Sequence, residues 1–428
     1  MANWTAKQAE TFLRDLFDVA IEAVSASRCL PPHLPAFPKA ERCIVVGAGK
    51  AAAAMAQAAE RHWALEAGAD LSQLSGMVIV PYGHSVPCQH IQVREAAHPV
   101  PDEAGHQAAM DLLASVQNLR TDDTVVCLLS GGGSALMSLP APGISLNDKQ
   151  AINRALLRSS ARIHEINCVR KHLSAIKGGR LGLACAPARV YTFIISDVAG
   201  DDADIIASGP TLPDHSTCAD ALAILQRYTI PISDSVLRYL RSEAAETPKS
   251  EQLPTAHFHI IANANDALQA AANWARLQGV SVKILSDRLE GEARELGSAH
   301  AELAIRIATN EKTRPILILS GGETTVNLTG KGRGGRNTEY LLGLCLALSA
   351  YPGIYALAAD TDGKDGSEDN AGAICTPESL QSATLASISA IECLQQNDAY
   401  RFFEQLGTLL VTGPSFTNVN DFRAILLL

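Results

Sequence analysis

The segment from Leu319 to Asn337 combines glycines and cations in a way that suits anion binding. It reads LSGGETTVNLTGKGRGGRN and holds six glycines together with Lys331, Arg333 and Arg336. Glycine disfavours helix, so the segment is predicted to be a loop. A loop that brings backbone N–H groups and positive side chains together can bind carboxylate or phosphate oxygens. Because the formal net charge of the chain is -10, this positive charge must be a local feature.

A second glycine-containing turn, VVGAGKAA (Val45–Ala52), follows a predicted strand and opens a predicted helix. Its Gly47 and Gly49 fit a loose dinucleotide fingerprint, but the next strand ends in VPYG, without the acid that would hold a ribose hydroxyl. It is not a Walker P-loop, because Ala51 stands where Ser or Thr would bind the metal. Lys50 in the first helical turn then indicates an anion site or, equally, a tight turn with a solvated lysine.

Two predicted strands share one ending, in the sequences CLLSGGGSALM and LILSGGETTV. Ligands of open α/β sheets bind beyond the carboxyl ends of the strands. Hydroxyl and backbone N–H groups at these two ends are therefore predicted to contact a ligand. The residues concerned are Ser130, Gly131, Gly132, Gly133, Ser134, Ser320, Gly321, Gly322 and Glu323.

Carboxylates follow two other predicted strands. In ISDVAGDDADIIASGPT, Asp197 is the first carboxylate past the strand and is the candidate for a base or a metal ligand, whereas the later aspartates are interpreted as helix caps. In AADTDGKDGSEDNAG, Asp360 and Asp362 can bind Mg²⁺ if phosphate oxygens complete the shell. An ordinary turn is the alternative for this second segment. It is not a calcium loop, since Lys364 and Ala371 occupy ligand positions.

The segment INCVRKHLSAIKGGRLG (Ile166–Gly182) is predicted to form one helix that ends at two glycines. Arg170 and Lys177 are seven residues apart and would lie on one helical face. Apolar residues between them indicate partial burial, so these cations are expected to contact an anion. His98 and His172 show no catalytic partner pattern and are interpreted as structural histidines.

The elements that must position these residues alternate along the chain. Short β-branched runs alternate with longer Ala/Leu segments of helical period, which predicts an α/β protein with a mostly parallel sheet. Eight helices are expected, from Ala6–Ser25 to Asn337–Ser349. The predicted strands are Cys43–Val46, Met77–Val80, Val125–Leu129, Val190–Ile195, His259–Ala262, Val280–Leu285, Ile316–Leu319 and Ile354–Ala358.

Length and composition restrict the class of protein. A chain of 428 residues with 47 % apolar and 19 % charged residues is expected to form two or three globular domains. The polar segment NEKTRP predicts a boundary that divides the chain into domains 1–312 and 313–428. The acidic balance argues against nucleic acid or an anionic membrane as partner. Ten scattered cysteines, no C-x-x-C pair, no export-signal pattern and no long apolar run indicate a cytoplasmic protein.

Together these motifs resemble the class II glycerate 2-kinases, a family that is also named hydroxypyruvate reductase in tartrate degradation. The resemblance extends from about residue 43 to the last residue and includes VVGAGKAA, LSGGGSALM, NCVRKHLSAIKGGRL, SDVAGDDADIIASGPT, LSGGETTVNLTGKGRGGRNTE, AADTDGKDGSEDNAGA and LLVTGPSFTNVNDFR. It implies a large Rossmann-like domain with a mostly parallel sheet and a smaller α/β C-terminal domain of the MOFRL type, with the active site in the cleft between them. It also implies phosphorylation of D-glycerate to 2-phosphoglycerate in hydroxy-acid catabolism, with ATP and Mg²⁺, by a monomer or homodimer.

With this resemblance, roles can be assigned to particular residues. Those of Lys50 and the arginines come mostly from the resemblance, and those of the aspartates are inferred from their positions after the strands. Four residues are expected to act on the reacting groups: Lys50, Asp197, Arg333 and Arg336. The cations would clamp phosphate or carboxylate oxygens, while Asp197 would accept the proton of the O2 hydroxyl. Asp360 or Asp362 would hold Mg²⁺. Substrate or nucleotide contacts are expected from the glycine turn at Gly47 and Gly49, from the two serine–glycine endings, and from Arg170, Lys177 and Asn337.

Two other classes of function remain open. An NAD(P)H-dependent hydroxypyruvate reductase would use the turn at Gly47 and Gly49. However, this chain lacks the ribose-binding acid that such an enzyme needs, and it has several phosphate-type loops that such an enzyme does not need. A non-catalytic sugar-acid sensor would not need the aspartates that follow the strands. The chain departs from the family at Phe416, where relatives tend to have a small residue, which predicts altered packing or a different substrate size.

Overall fold

The structure, a computed structural model, describes residues 4–38, 41–66, 70–254 and 256–428. These residues form two compact units. Cys29–Ile261 form the first, here called the central unit. The chain up to Arg28, together with Ala262–Leu428, forms the second, here called the terminal unit.

The strands of the described residues include all eight predicted ones. Four strands were not predicted: the third, the tenth, the eleventh and the twelfth. In chain order the strands are β1 (Cys43–Ala48), β2 (Leu74–Pro81), β3 (Gln92–Ala96), β4 (Thr124–Leu129), β5 (Arg189–Ile195), β6 (Ala256–Ala262), β7 (Ser281–Ile284), β8 (Ile316–Gly322), β9 (Ile354–Asp360), β10 (Gly372–Cys375), β11 (Leu409–Leu410) and β12 (Asp421–Leu427).

Several helices begin where a side chain satisfies one of their first N–H groups. Ser145, Thr217 and Asn263, for example, each accept a hydrogen bond from a backbone N–H in the first turn of the helix that follows. The helices are α1 (Ala6–Ala23), α2 (Ala26–Cys29), α3 (Ala52–Trp63), α4 (Glu103–Ser115), α5 (Gly133–Leu136), α6 (Leu146–Arg158), α7 (Ile163–His172), α8 (Arg180–Ala184), α9 (Cys218–Arg227), α10 (Asp234–Leu240), α11 (Ala264–Leu277), α12 (Ala293–Asn310), α13 (Arg336–Leu348), α14 (Ser379–Leu385), α15 (Ala390–Gln395) and α16 (Ala399–Gln405).

The central unit is built on a six-stranded sheet with the order β3-β2-β1-β4-β5-β6. The pairings from β3 to β5 are all parallel. Both faces are covered, so β1 is buried along its whole length, as expected for a parallel sheet. Ile44 and Val46 of β1 lie in one core with Ile79 of β2 and Leu129 of β4. The carboxyl ends of β1, β4 and β5 therefore meet at one edge of the sheet, which confirms the predicted α/β class.

The terminal unit has a mixed sheet with the order β11-β10-β9-β12-β8-β7. Only β7 and β8 pair in parallel; the other described pairings are antiparallel. The unpredicted strand β12 lies in the middle, between β8 and β9. Its first residue, Asp421, is opposite Gly322 on one side and Asp360 on the other. Strand β12 thus places its own first residue between the last residues of β8 and β9.

The units do not divide the chain at the boundary proposed from the sequence. The residues from 262 to 312 belong to the terminal unit because β7 pairs with β8. Helix α12 also packs closely on α13, since a Cβ at Gly297 would lie 2.1 Å from the carbonyl oxygen of Tyr340. Helix α1 joins the same unit, where the rings of Phe12 and Trp274 are 5.0 Å apart.

No helix within the described residues is both long and apolar enough to cross a membrane. All ten cysteines lie in the described ranges, and each is a free thiol.

Candidate functional site

The turns after β1 and β4 support each other. Gly49 has a φ of 138°, and a Cβ there would lie 2.2 Å from the Ser130 hydroxyl oxygen, so only glycine fits. The Ser130 hydroxyl accepts from the N–H of Ala51 (N–Oγ 2.9 Å), and the N–H of Lys50 donates to Gly131 (N–O 2.9 Å). The backbone N–H groups of Lys50 and Ala51 are thus bonded within the protein.

A cavity of about 350 Å³ lies beside the turn that follows β4. Its walls come from that turn, from α6 and α7, from the segment after α7, and from the loop that precedes α4. Polar and cationic side chains alternate with apolar ones along these walls. The lining residues include His98, Ser134, Lys149, Asn153, Arg170 and Lys177.

Arg170 and Lys177 both line this cavity, but not as residues of one helix. Helix α7 ends at His172, and the chain after it pairs with the segment after α5: Ala175 donates to Leu139 (N–O 3.0 Å). Two glycines with positive φ then lead into α8. The predicted single helix over 166–182, with both cations on one helical face, is wrong, but both cations still line one cavity.

The hydrogen bonds found for the three cations of this cavity go to neutral oxygen atoms. Lys177, only 2 % exposed, donates to the carbonyl oxygen of Ser134 (2.5 Å) and to its hydroxyl (3.1 Å). Lys149 donates to the carbonyl oxygen of Leu139 (3.2 Å). Arg170 Nε donates to Asn153 Oδ1 (2.7 Å). We call Lys149, Arg170 and Lys177 the cation triad.

Burial and mutual repulsion destabilise the charged forms of the triad. Burial, with the charges of Lys149 and Arg170, lowers the pKa of Lys177 well below its ordinary value. Burial and Arg170 lower the pKa of Lys149 to about 7. Burial also lowers the pKa of Arg170. A bound anion would relieve both effects, so the cavity is suited to a small anionic ligand.

Lys149 predicts a pH dependence for that ligand. Lys149 is protonated below its pKa of about 7 and loses its charge above it, so anion affinity is expected to fall about tenfold between pH 7 and 9, since a charge-assisted hydrogen bond is worth roughly 1.5–3 kcal/mol. Calorimetric titration with inorganic phosphate would measure this fall. Lys149→Met should bind more weakly at pH 7 and lose the pH step; a variant that kept the step would remove Lys149 from the site.

The aspartate predicted as a base lies at the same sheet edge. Asp197 follows the last residue of β5 by two positions and is half-buried. The aspartates after it were expected to cap a helix, but only a short 3-10 turn, Ile206–Ser208, follows them. Asp204 instead forms an ion pair with Lys171.

In the terminal unit, Arg336 binds three carboxylates. It donates through Nε to Asp421 Oδ1 (2.7 Å) and through its two Nη atoms to Asp360 Oδ2 and Glu323 Oε1 (2.8 Å each). Because Asp421 lies between the ends of β8 and β9, one guanidinium reaches all three. Burial would lower the pKa of Arg336, but these carboxylates raise it well above its ordinary value. We call this set the arginine–carboxylate cluster.

Asp365 supports the cluster from the side of α13. This fully buried carboxylate accepts hydrogen bonds from the backbone N–H groups of Asn337 and Thr338 (2.9 Å each), and burial raises its pKa. The Asn337 side chain also donates to Asp421 Oδ1 (2.8 Å). The start of α13 is thus fixed by acids that follow β9 and begin β12.

Arg333 lies outside the cluster. Its guanidinium is about half exposed and forms ion pairs with Glu368 and Glu404 (3.3 Å each). It also lies 4.7 Å from the centre of the Tyr400 ring. The glycines around it permit close packing, since a Cβ at Gly332 would lie 2.4 Å from Asp398. The two arginines predicted as equivalent anion clamps therefore have different surroundings.

The second serine–glycine ending is part of a strand rather than a free turn. Ser320, Gly321 and Gly322 belong to β8 and pair with β12. The N–H of Gly321 donates to Ser286 (N–O 2.8 Å), and its carbonyl oxygen accepts from Arg423 Nη1 (3.3 Å). The expectation of N–H donors open to a ligand is wrong for Gly321, because its N–H is bonded within the protein.

Asp360 and Asp362 offer the hard oxygen ligands that Mg²⁺ prefers. Asp360 Oδ1 accepts from the N–H of Asp362 (3.2 Å), and Asp362 Oδ1 accepts from the N–H of Lys364 (2.8 Å). Mg²⁺ in nucleotide enzymes is commonly held by one or two carboxylates together with phosphate oxygens. The two aspartates fit such a partial shell, although Arg336 already binds Asp360 Oδ2.

Three buried charged residues at these sites were not predicted from the sequence. Asp421 and Arg423 begin a strand that was not predicted, although their segment was noted as a motif. Lys149 was overlooked on α6, yet its spacing to Ile152 and Leu156 places it on the buried face of that helix. Helical spacing was therefore a usable signal for Lys149.

The fold and these sites define a two-unit α/β protein with a cavity lined by three cations. Two family models match the chain: "Domain of unknown function (DUF4147)" over residues 12–241 and "MOFRL family" over residues 316–421. A protein of Agrobacterium vitis named putative hydroxypyruvate reductase is 48 % identical and matches 99 % of this chain and 96 % of its own length. A D-glycerate 2-kinase of Thermotoga maritima is 40 % identical, with 94 % of each chain covered.

A solved structure supports the same family as these relatives. A crystal structure of glycerate kinase from Thermotoga maritima superposes with a TM-score of 0.88 at 38 % identity and covers 99 % of this chain and 100 % of its own. The chain belongs to the glycerate 2-kinase family that carries a MOFRL domain. The resemblance inferred from the motifs is thereby confirmed.

The family assignment bears on Phe416. Its φ is 58°, in the left-handed region, where a bulky side chain is strained and glycine is favoured. The backbone therefore gives a physical reason why a small residue suits this position.

Proposed function

We propose that the protein is a glycerate 2-kinase that transfers the γ-phosphoryl group of ATP to the O2 hydroxyl of D-glycerate and releases 2-phosphoglycerate and ADP. The observation that carries the proposal is the cation triad, in which Lys149 and Lys177 are buried and Arg170 is half-buried. The described hydrogen bonds of all three go to neutral atoms. D-Glycerate, ATP and the product are all anions. The names of the related kinases support the same reaction.

In the central unit, the triad would hold the carboxylate of glycerate or the phosphate oxygens. Arg170 can offer two parallel N–H groups to one carboxylate, whereas Lys177 and Lys149 act as point charges. Lys50, in the turn after β1, would neutralise charge on the moving phosphoryl group, because phosphoryl transfer depends mainly on positioning and charge neutralisation. Asp197 would accept the proton of the O2 hydroxyl as the new P–O bond forms.

In the terminal unit, Asp360 and Asp362 would hold Mg²⁺. The ion, when bound, supplies positive charge to the phosphate oxygens. Arg336 fixes the position of Asp360 through one of its Nη atoms. Arg333, being partly exposed, would contact an anion only after leaving its two glutamates. We place this reaction in the cytoplasm because all ten cysteines are free thiols. We place it within hydroxy-acid catabolism because the proposed substrate is a hydroxy acid.

An NAD(P)H-dependent hydroxypyruvate reductase is the second candidate. It is favoured by the name of the 48 % identical relative. The glycine turn after β1 counts against it, because the N–H groups of Gly49, Lys50 and Ala51 all donate to protein oxygens and are not open to a pyrophosphate. The kinase remains the better supported function.

The deciding experiment is phosphorus NMR of purified protein with D-glycerate, ATP and Mg²⁺, beside an NADH-oxidation assay with hydroxypyruvate. A 2-phosphoglycerate signal without NADH loss is expected. NADH loss without a phosphorylated product would establish the reductase and refute the kinase. Under the kinase, Lys50→Ala and Asp197→Asn should each lower kcat by about 100-fold or more, in the range of a lost charge-stabilising group or general base.

Two measurements separate these roles from general damage. Asp197→Asn should change the affinity for ATP less than it changes kcat; the opposite result would make Asp197 a ligand contact rather than a base. Asp201→Asn is a matched control in the same loop, because Asn tolerates the left-handed backbone that Asp201 adopts (φ 56°). That control should retain the activity of the wild type.

A further inference from the structure

Three potential metal ligands meet in the central unit, apart from the cavity. His172 is the last residue of α7, Cys218 is the first residue of α9, and Glu246 follows a short 3-10 turn, Glu243–Ala245. One ligand atom from each lies within 4.8 Å of the other two. Within the described part of the chain, no other group of three His, Cys, Asp or Glu residues has this geometry.

The hydrogen bonding of His172 leaves one of its two ring nitrogens available to a metal ion. The residue is fully buried, and Nδ1 lies 2.9 Å from the carbonyl oxygen of Cys168. Because a carbonyl can only accept, Nδ1 carries the proton and Nε2 carries a lone pair. That Nε2 atom is buried and has no hydrogen-bond partner among the described residues. A carbonyl that fixes the tautomer in this way is the usual support of a metal-binding histidine.

The other two ligands face the same point from the solvent side. Glu246 Oε1 is 3.9 Å from His172 Nε2, and Glu246 Oε2 accepts from the backbone N–H of Cys218 (3.1 Å). The Glu246 side chain is 39 % exposed and Cys218 is half-buried. An ion therefore has a route to a histidine nitrogen that is itself closed to water.

We propose that His172, Cys218 and Glu246 bind one Zn²⁺ ion, with water as the fourth ligand. Nitrogen, sulfur and carboxylate oxygen together favour Zn²⁺ over Mg²⁺, which prefers oxygen alone. A tetrahedral zinc with bonds of about 2.0–2.3 Å holds its ligand atoms about 3.5 Å apart, close to the 3.9 Å between Nε2 and Oε1. On binding, the thiol proton of Cys218 leaves to solvent and the thiolate bonds to the metal.

Two neighbouring cations would repel a bound metal ion, but both have other hydrogen-bond partners. Lys249 donates to Glu246 Oε1 (2.7 Å), yet it also donates to the carbonyl oxygens of Asp214 (2.9 Å) and Ser216 (2.7 Å). Arg180 donates to the backbone carbonyl of Glu246 (3.2 Å), not to its carboxylate. The carboxylate can therefore turn toward zinc without leaving either cation unbonded.

The consequence of this site is structural and independent of the proposed kinase reaction. Helix α7 carries Arg170 of the cation triad two residues before His172. Zinc would join the end of α7 to the start of α9 and to the segment at Glu246. The ion would thus act as a clamp on one wall of the cavity, and its ligands are positioning residues rather than catalytic ones.

The test uses the full chain without a histidine tag, stripped with a chelator and then titrated with Zn²⁺. One equivalent per chain is expected to bind, with a rise in Tm, because a ligand that binds only the folded state stabilises it. Substitution with Co²⁺ should give visible d–d bands of a tetrahedral site and a thiolate charge-transfer band. The Co²⁺ spectrum reports on sulfur ligation without requiring any variant to fold.

Cys218→Ser should lose the charge-transfer band and at least about tenfold in zinc affinity. Cys88→Ser is the matched control, because Cys88 is also half-buried in the central unit but is outside the cluster; it should bind zinc like the wild type. The proposal is overturned if the wild type binds no zinc, or if Cys218→Ser and the wild type bind it equally.

Discussion

Lys177→Met is expected to lower kcat/KM by about 100-fold while leaving the free energy of unfolding unchanged or higher. Loss of a charge-assisted hydrogen bond to a bound anion accounts for the first effect. The second follows because Lys177 is 2 % exposed and its described hydrogen bonds go to neutral oxygens. Methionine fills a similar volume without the cost of burying a charge. Ser134 keeps its hydroxyl contact with Ser208 (2.9 Å).

Steady-state kinetics and urea unfolding of the same preparations would measure both effects. Lys312→Met provides the control, because Lys312 is exposed, and it should change neither quantity. If Lys177→Met lost activity and stability together, Lys177 would be a structural residue and the anion site would have to be assigned elsewhere. Joint loss of activity and gain of stability is the signature of a residue held in place for a ligand.

Arg336→Met is expected to reduce the free energy of unfolding of the terminal unit by about 3 kcal/mol or more, because removal of one partner leaves buried charges unpaired. The side chains of Asp421 and Asp360 are 0 % and 6 % exposed. Burial would raise the pKa of Asp421, but Arg336 and Arg423 hold it below its ordinary value. The stability from this carboxylate is present above pH 4 and is lost as the pH falls through its lowered pKa.

Arg333→Met is the matched control from the same loop. Its ion pairs are exposed and should contribute at most about 1 kcal/mol. Chemical unfolding followed by a probe in the terminal unit would compare the two variants, and Arg336→Lys should lie between them because lysine keeps the charge but not the three-way hydrogen bonding. Equal losses for Arg333→Met and Arg336→Met would contradict the distinction drawn between these arginines.

Strands with continuous apolar runs were predictable, whereas strands defined by their partners were not. The runs in β1, β4 and β8 are long enough to identify from sequence. Strand β3 is short, and three of its five residues are exposed. No apolar pattern therefore identifies it in the sequence. Strand β12 begins with Asp421 and Arg423, two charged residues that are buried only because β8 and β9 flank them. Sequence alone does not reveal such pairing.

The candidate site was predictable by residue type rather than by detailed role. Arg170 and Lys177 were grouped as residues of one helix, but they line one cavity although the chain turns between them. Serine and glycine after β4 were recognised, but Ser130 proved to be a support for the preceding turn. Arg333 and Arg336 could not be separated by sequence, since only the position of Asp421 on β12 selects one of them for the cluster.

The central place of β12 constrains how the terminal unit can form as the chain is synthesised. A nascent chain that ends before Asp421 contains β8 and β9, but it lacks the strand that joins them. Its sheet then exists only as two separate parts with open edges. Helix α1 is synthesised before the residues after 261 against which it packs. The central unit, which is continuous from Cys29 to Ile261, is complete well before that moment, so order of assembly is set by topology.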